Sequence, residues 1–103
     1  MGPMADAEIR HNEAERRYEA YVDGEPAGFA AYRLTPGTIV LSHTEVDDAF
    51  EGHGVGSSLA RGALDDLRAD GSRRVKPLCP FIKAWIDDHP DYADLVHGPT
   101  TAS

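Results

Sequence analysis

Three glycines within five residues, Gly52, Gly54 and Gly56, divide this 103-residue chain into halves that follow different periods. Ahead of them apolar residues alternate with polar ones; behind them they recur every three or four positions. A glycine inside a helix costs roughly 0.8–1 kcal/mol against alanine, so three at the change of period serve the backbone rather than helix propensity. The chain is thereby constrained to strands first, then a tight junction, then a helix that must fold back on those strands.

Tyr18, Ala20 and Val22 alternate with Glu19, Tyr21 and Asp23, and Asp23-Gly24-Glu25-Pro26 supplies turn chemistry before the strand-like run Ala27 to Leu34, which together predict a hairpin. Thr35-Pro36-Gly37 punctuates again, and the β-branched run from Thr38 to Val46 predicts a third strand of an antiparallel meander. Beyond Gly54, Val55, Leu59, Ala63, Leu64 and Leu67 fall on one helical face and Arg61, Asp65 and Arg68 on the other, with Asp70-Gly71 suited to a left-handed cap. Arg73 to Leu78 predicts a fourth strand parallel to the third, and Pro80 opens a short helix striped by Ile82, Trp85 and Ile86. The predicted fold is α/β: a mixed sheet of about four strands, an antiparallel meander followed by a βαβ unit and a short C-terminal helix. The domain is expected to span residues 13–97, with 1–12 and 98–103 as flexible tails.

A chain of this length has room for one domain. Ten Lys and Arg against eighteen Asp and Glu give a formal charge of -8, which would repel a phosphate backbone and favours a basic partner, so no nucleic-acid role is expected. Cys79 is the single cysteine; no intramolecular disulfide can form, and a reducing, cytoplasmic setting is the simplest one. No apolar run approaches the roughly 18 residues of a membrane span. The histidines His11, His43, His53, His89 and His97 show no close pair at ligand spacing, so no metal site is expected. A monomer or weak dimer is the expected unit.

The junction reads Glu51-Gly52-His53-Gly54-Val55-Gly56-Ser57-Ser58. Its glycines permit close approach of main chain to a ligand, with free N–H groups at the helix start and a helix dipole that favours negative charge. The plainer alternative is a tight strand-to-helix connection. A triphosphate loop would need a Gly-Lys-Ser/Thr sequence and a dinucleotide fingerprint would need G-x-G-x-x-G; neither is present. The spacing is similar to the acyl-coenzyme A loop of the GCN5-related N-acetyltransferases, R/Q-x-x-G-x-G/A, from Glu51 through Gly54 to Gly56. His43-Thr44-Glu45-Val46, Pro77-Leu78-Cys79-Pro80-Phe81 and His89-Pro90-Asp91-Tyr92 extend the resemblance to the short, single-domain branch of that superfamily, from about Tyr18 to Val96. Glu51 departs from the loop pattern, which leaves anion binding to main-chain donors from Gly52 through His53, Gly54, Val55 and Gly56 to Ser57.

The resemblance implies acetyl-coenzyme A, or coenzyme A, as cofactor, an acetyl transfer to a primary amine on a small molecule or basic peptide, and a thioester held where the strands at 38–46 and 73–78 splay apart. The main chain of Thr44 to Val46 would then bind the pantetheine, and Cys79 and Phe81 would line the opposite lip. Cys79 would line the acetyl pocket or accept the acetyl group transiently; a small buried apolar residue is its plain alternative. His43 and Glu45 lie two apart on a strand, on the face opposite Thr44 and Val46, so either could take the ammonium proton, Glu45 first. As plain polar-out residues they would do neither. Trp85 stands where many members carry a tyrosine acid, a role indole cannot fill. A module that binds acyl-coenzyme A without turnover is the competing reading.

Overall fold

The structure is a computed structural model that describes residues 7–52 and 54–97. Strands β1 (Glu8–Asn12), β2 (Arg17–Val22), β3 (Glu25–Thr35) and β4 (Thr38–Val46) form an antiparallel meander, and β5 (Arg74–Pro77) adds parallel to β4. Helix α1 (Val55–Asp70) makes the crossover between β4 and β5, and α2 (Pro80–Asp88) and α3 (Ala93–His97) follow. This is the expected α/β order with one strand more than the alternation announced. The turns have local causes: Asp23 and Gly24 both take positive φ, 52° and 82°, as a two-residue type I′ hairpin requires.

β1 corrects the expected tail over residues 1–12. Its sequence, Glu-Ile-Arg-His-Asn, offers one aliphatic residue, too little for a period. Ile9 nonetheless anchors it, because Gly62 on α1 leaves a notch: a Cβ there would come within 2.8 Å of the Ile9 side chain. Residues 1–6 and 98–103 lie outside the described residues.

Val55, Leu59, Ala60, Ala63, Leu64 and Leu67 are buried on α1 and meet Tyr18, Ala20, Ala30, Ile39, Leu41 and Val75 from the sheet. Ile82, Trp85 and Ile86 of α2 complete the same core. One irregularity in β4 decides which residues reach that core. The register shifts between Ala31 and Tyr32, so that Tyr32 pairs with Leu41 but Ala31 with His43, leaving Ser42 as a bulge. Leu41 faces the core; past the bulge the phase reverses, Thr44 and Val46 share the core side with their partners Ala30 and Gly28, and His43 and Glu45 turn to the other face. Among the described residues no helix is long and apolar enough to cross a membrane.

Candidate functional site

The parallel ladder ends early. β5 pairs with β4 only from Thr38↔Arg74 to Leu41↔Pro77, after which the N–H groups of Leu78 and Cys79 both donate to the Leu41 carbonyl at 3.0 Å. That double bond turns the chain away into α2, while β4 runs on to Val46 with no ladder partner on that edge among the described residues. A wedge opens between them, as the resemblance implied. Cys79, 5% exposed, closes its apex by donating its S–H to Thr44 Oγ1 at 3.3 Å.

At the mouth of the wedge, Asp47 caps a short 3-10 turn at Asp48–Phe50 by accepting from the Ala49 N–H at 2.9 Å. Gly52 and Gly54 then take φ of 85° and 79°, left-handed values that only glycine adopts cheaply. Gly54 is the N-cap of α1, with no side chain bonded to the cap and no acidic residue in the first turn. The first intrahelical bond is Ser58 N–H to the Gly54 carbonyl at 3.0 Å, so the N–H groups of Val55, Gly56 and Ser57 are not used by the helix. Val55 contributes only its main chain, since its side chain is buried. Gly56 has a different job: a Cβ there would sit 2.9 Å from the Phe81 ring, so its bareness lets the first turn of α2 pass across the first turn of α1. Phe81 is 44% exposed and Leu78 51%, an apolar lip beside the free donors. His53 lies outside the described residues.

The three candidate catalytic side chains do not form one constellation. His43 Nε2 and Glu45 Oε2 are 3.0 Å apart and more than half exposed, on the face turned away from α1, whereas Cys79 lies behind the strand with Thr44. The residue missed from sequence is Glu19, which stands on that open face in register with Phe29, itself in register with Glu45. Its carboxylate accepts from Arg17 Nε at 2.7 Å, Tyr21 Oη at 3.0 Å and Asn12 Nδ2 at 3.1 Å. The Arg17 bond, more than any other, holds the Glu19 carboxyl below the usual carboxylate range. A shallow cleft of about 260 Å³ lies over Gly28 and Phe29, walled by Arg17, Glu19, Tyr21, Glu45 and Asp47, with the Arg17 guanidinium 4.9 Å from the centre of the Phe29 ring. Strand alternation set Glu19 on the same face as its β2 partners Arg17 and Tyr21, but its β1 partner Asn12 carried no signal.

Trp85 is a core residue. It stacks on His89 at 3.8 Å and meets Tyr92 edge-on at 5.1 Å. The Tyr92 hydroxyl donates to Asp65 at 2.7 Å, so neither ring directs a free phenol into the wedge. Among the described residues no group of three metal-ligating side chains converges.

The site thus combines a wedge between parallel strands with a glycine helix start that no side chain caps. The sequence profile of the GCN5-related N-acetyl-transferases matches residues 17–95. The chain belongs to that family. Protein NATD1 of Xenopus tropicalis is 26% identical over 92 residues, covering 87% of this chain and 84% of the relative. NATD1 of Bos taurus is 29% identical over 84 residues, covering 80% and 74%. The NMR structure of a GCN5-like protein from Staphylococcus aureus superposes with a TM-score of 0.67 at 23% identity, covering 95% of both chains. A crystal structure of ribosomal-protein-alanine N-acetyltransferase from Brucella melitensis biovar Abortus 2308 gives 0.56 at 18%, covering 84% of this chain and 64% of that one. At these identities the two structures speak for the fold, and the matched profile assigns the chain to the acyl-transfer class.

Proposed function

We propose that this GCN5-related chain transfers an acetyl group from acetyl-coenzyme A to a primary amine, on a small molecule or a lysine side chain of a basic peptide. The observation that carries the proposal is the wedge itself: β5 leaves the β4 edge after Leu41, Cys79 bonds Thr44 at the apex, and Gly56 at the start of α1 packs against the Phe81 ring of α2. The residues fit the cofactor. Three N–H groups unused by the helix at the positive end of a sixteen-residue α1 suit a diphosphate, the β4 edge from Thr44 to Val46, paired to β3 but not to β5, suits the amides of a pantetheine, and Phe81 with Leu78 offers apolar cover.

The bound cofactor supplies the activated thioester, and the chain does the rest. Main-chain donors hold the group still and Cys79 lines the acetyl pocket. The amine approaches across the open face on the side of Glu45 and Asp47, which attract a cation, with the Arg17 guanidinium over the Phe29 ring on the other side. Glu45 takes the ammonium proton directly or through a water, with His43 beside it as the alternative base. The bound thioester would supply the acetyl group, the amine nitrogen giving its first proton to Glu45 before the nitrogen–carbon bond forms and its second to solvent, while the departing thiolate would take its proton from solvent. The working unit in this reading is a single chain or weak dimer in the cytoplasm.

A second reading has one observation in its favour: Trp85 is buried, and the phenols of Tyr92 and Tyr21 are committed to Asp65 and Glu19 rather than free to protonate the thiolate. On that reading the protein holds acyl-coenzyme A without turning it over. Released thiol, followed while polyamines, amino acids and basic peptides are offered, separates the two. We expect thiol release with at least one basic amine; saturable cofactor binding with no release above buffer would favour the binding module.

A further inference from the structure

A second cleft, of about 730 Å³, opens at the end of the molecule opposite the glycine junction, between the β1–β2 turn, the last turns of α1 and the approach to β5. Its floor is built of two phenols. Tyr18 and Tyr32, both nearly buried, have ring centroids 5.7 Å apart, with Leu34 and Ile39 beside them. His11 stacks on Tyr18 at 4.3 Å, and its Nε2 lies 2.6 Å from the Tyr32 hydroxyl. The Tyr18 hydroxyl donates to Asp66 Oδ2 at 2.7 Å. The floor is thus fixed by its own hydrogen bonds, and the surface it presents to the cleft is chiefly the His11 ring stacked on Tyr18 and the exposed side of Leu34.

The rim carries both signs of charge. Arg16 and Arg73 reach it from separate loops, and neither makes a salt bridge or side-chain hydrogen bond among the described residues. Facing them are Glu13 and Asp66, 3.9 and 3.6 Å from His11 Nδ1, and Asp70, at the negative end of α1, whose Oδ2 accepts from the Ser72 N–H and hydroxyl and whose Oδ1 carries no hydrogen bond among the described residues. Arg16 occupies its place against backbone preference: its φ is 56°, and its carbonyl is pinned by the Tyr32 N–H at 3.0 Å. An anion alone would meet three carboxylates here, and a cation alone two guanidinium groups. A molecule with one charge of each sign on an apolar body satisfies both sides.

We infer that this cleft binds a small zwitterion of the α-amino-acid class with an aromatic or apolar side chain, its carboxylate on Arg16 and Arg73 and its ammonium toward Asp66 and Asp70. The site is remote from the acyl wedge and independent of the proposed transfer reaction. Its test is a titration of ¹⁵N-labelled full-length protein with L-phenylalanine, 2-phenylethylamine and 3-phenylpropionate at matched millimolar concentrations. L-Phenylalanine should shift amides at 13–18, 32 and 66–73 and leave 55–57 unmoved, and each singly charged analogue should bind about tenfold more weakly. Arg16→Gly should weaken L-phenylalanine binding about tenfold while keeping or raising the melting temperature, because glycine suits the left-handed φ; Arg73→Ala should weaken it similarly. No shifts, shifts confined to the glycine junction, equal binding of an analogue, or undiminished binding by Arg16→Gly would each overturn the inference.

Discussion

Glu45 and Cys79 lie on opposite sides of one strand, and the proposed chemistry separates with them. Glu45→Gln should lower turnover by roughly 10²–10⁴, the usual range for a positioned acid or base, with acetyl-coenzyme A affinity nearly unchanged. Cys79→Ser should leave turnover near normal, because a pocket-lining thiol bonded to Thr44 is replaced by a hydroxyl that can make the same bond. Steady-state assays of both variants decide this: full activity in Glu45→Gln and His43→Ala alike would remove both as the base, and collapse in Cys79→Ser with binding retained would mark a covalent step. Glu19 makes a separate prediction about stability. Held below the ordinary carboxylate range by Arg17, it contributes stability at neutral pH that is lost as pH falls through that range toward its folded-state value. Glu19→Gln should therefore cost about 1.5–3 kcal/mol at neutral pH and flatten the acid-side decline. Urea titrations of both proteins across the acid range test this, and parallel curves would contradict it.

Gly28 and Gly56 show how the same residue type serves different elements. A Cβ on Gly28 would collide with the carbonyl oxygen of Glu45 on the neighbouring strand, main chain that cannot step aside. Gly28→Ala should cost about 1–3 kcal/mol and disturb Glu45 with it. A Cβ on Gly56 meets only the tip of a part-exposed Phe81 ring, so Gly56→Ala should change stability by less than about 0.5 kcal/mol and weaken cofactor binding as the ring swings out. Urea melts and cofactor titrations of both variants test the contrast; equal destabilisation would refute it. Much at this level was legible in the amino acids: the period of α1, the β-branched run of β4, the Asp-Gly turn, Pro80 opening α2. Two features were not. β1 carries one aliphatic residue, and its notch is a glycine 53 positions away. The bulge at Ser42 has no turn residue to announce it, yet it determines that Thr44, rather than Glu45, meets Cys79. Alternation put these neighbours on opposite faces; only the register with β3 says which face is the core.

Over the whole molecule the charge of -8 is unevenly spread. Asp47, Asp48 and Glu51 flank the glycine junction in sequence, while at the far end of the sheet Arg16 and Arg73 stand among Glu13, Asp66 and Asp70. On the proposed function, acidic residues near the wedge suit a cationic acceptor and oppose an anionic cofactor, whose phosphates would then rest on the main-chain donors of α1 rather than on a basic side chain. The family loop could be matched from spacing alone because those glycines are dictated by backbone geometry; the acceptor is not legible in the same way, since an exposed face of charged pairs sets no shape a sequence could reveal. The central claim is that this wedge holds an acyl-coenzyme A. Isothermal titration calorimetry of the intact chain with acetyl-coenzyme A tests it most directly: we expect a saturable one-to-one heat that Gly54→Val, which forces a branched side chain into a left-handed position, abolishes. No heat at millimolar cofactor would contradict the account.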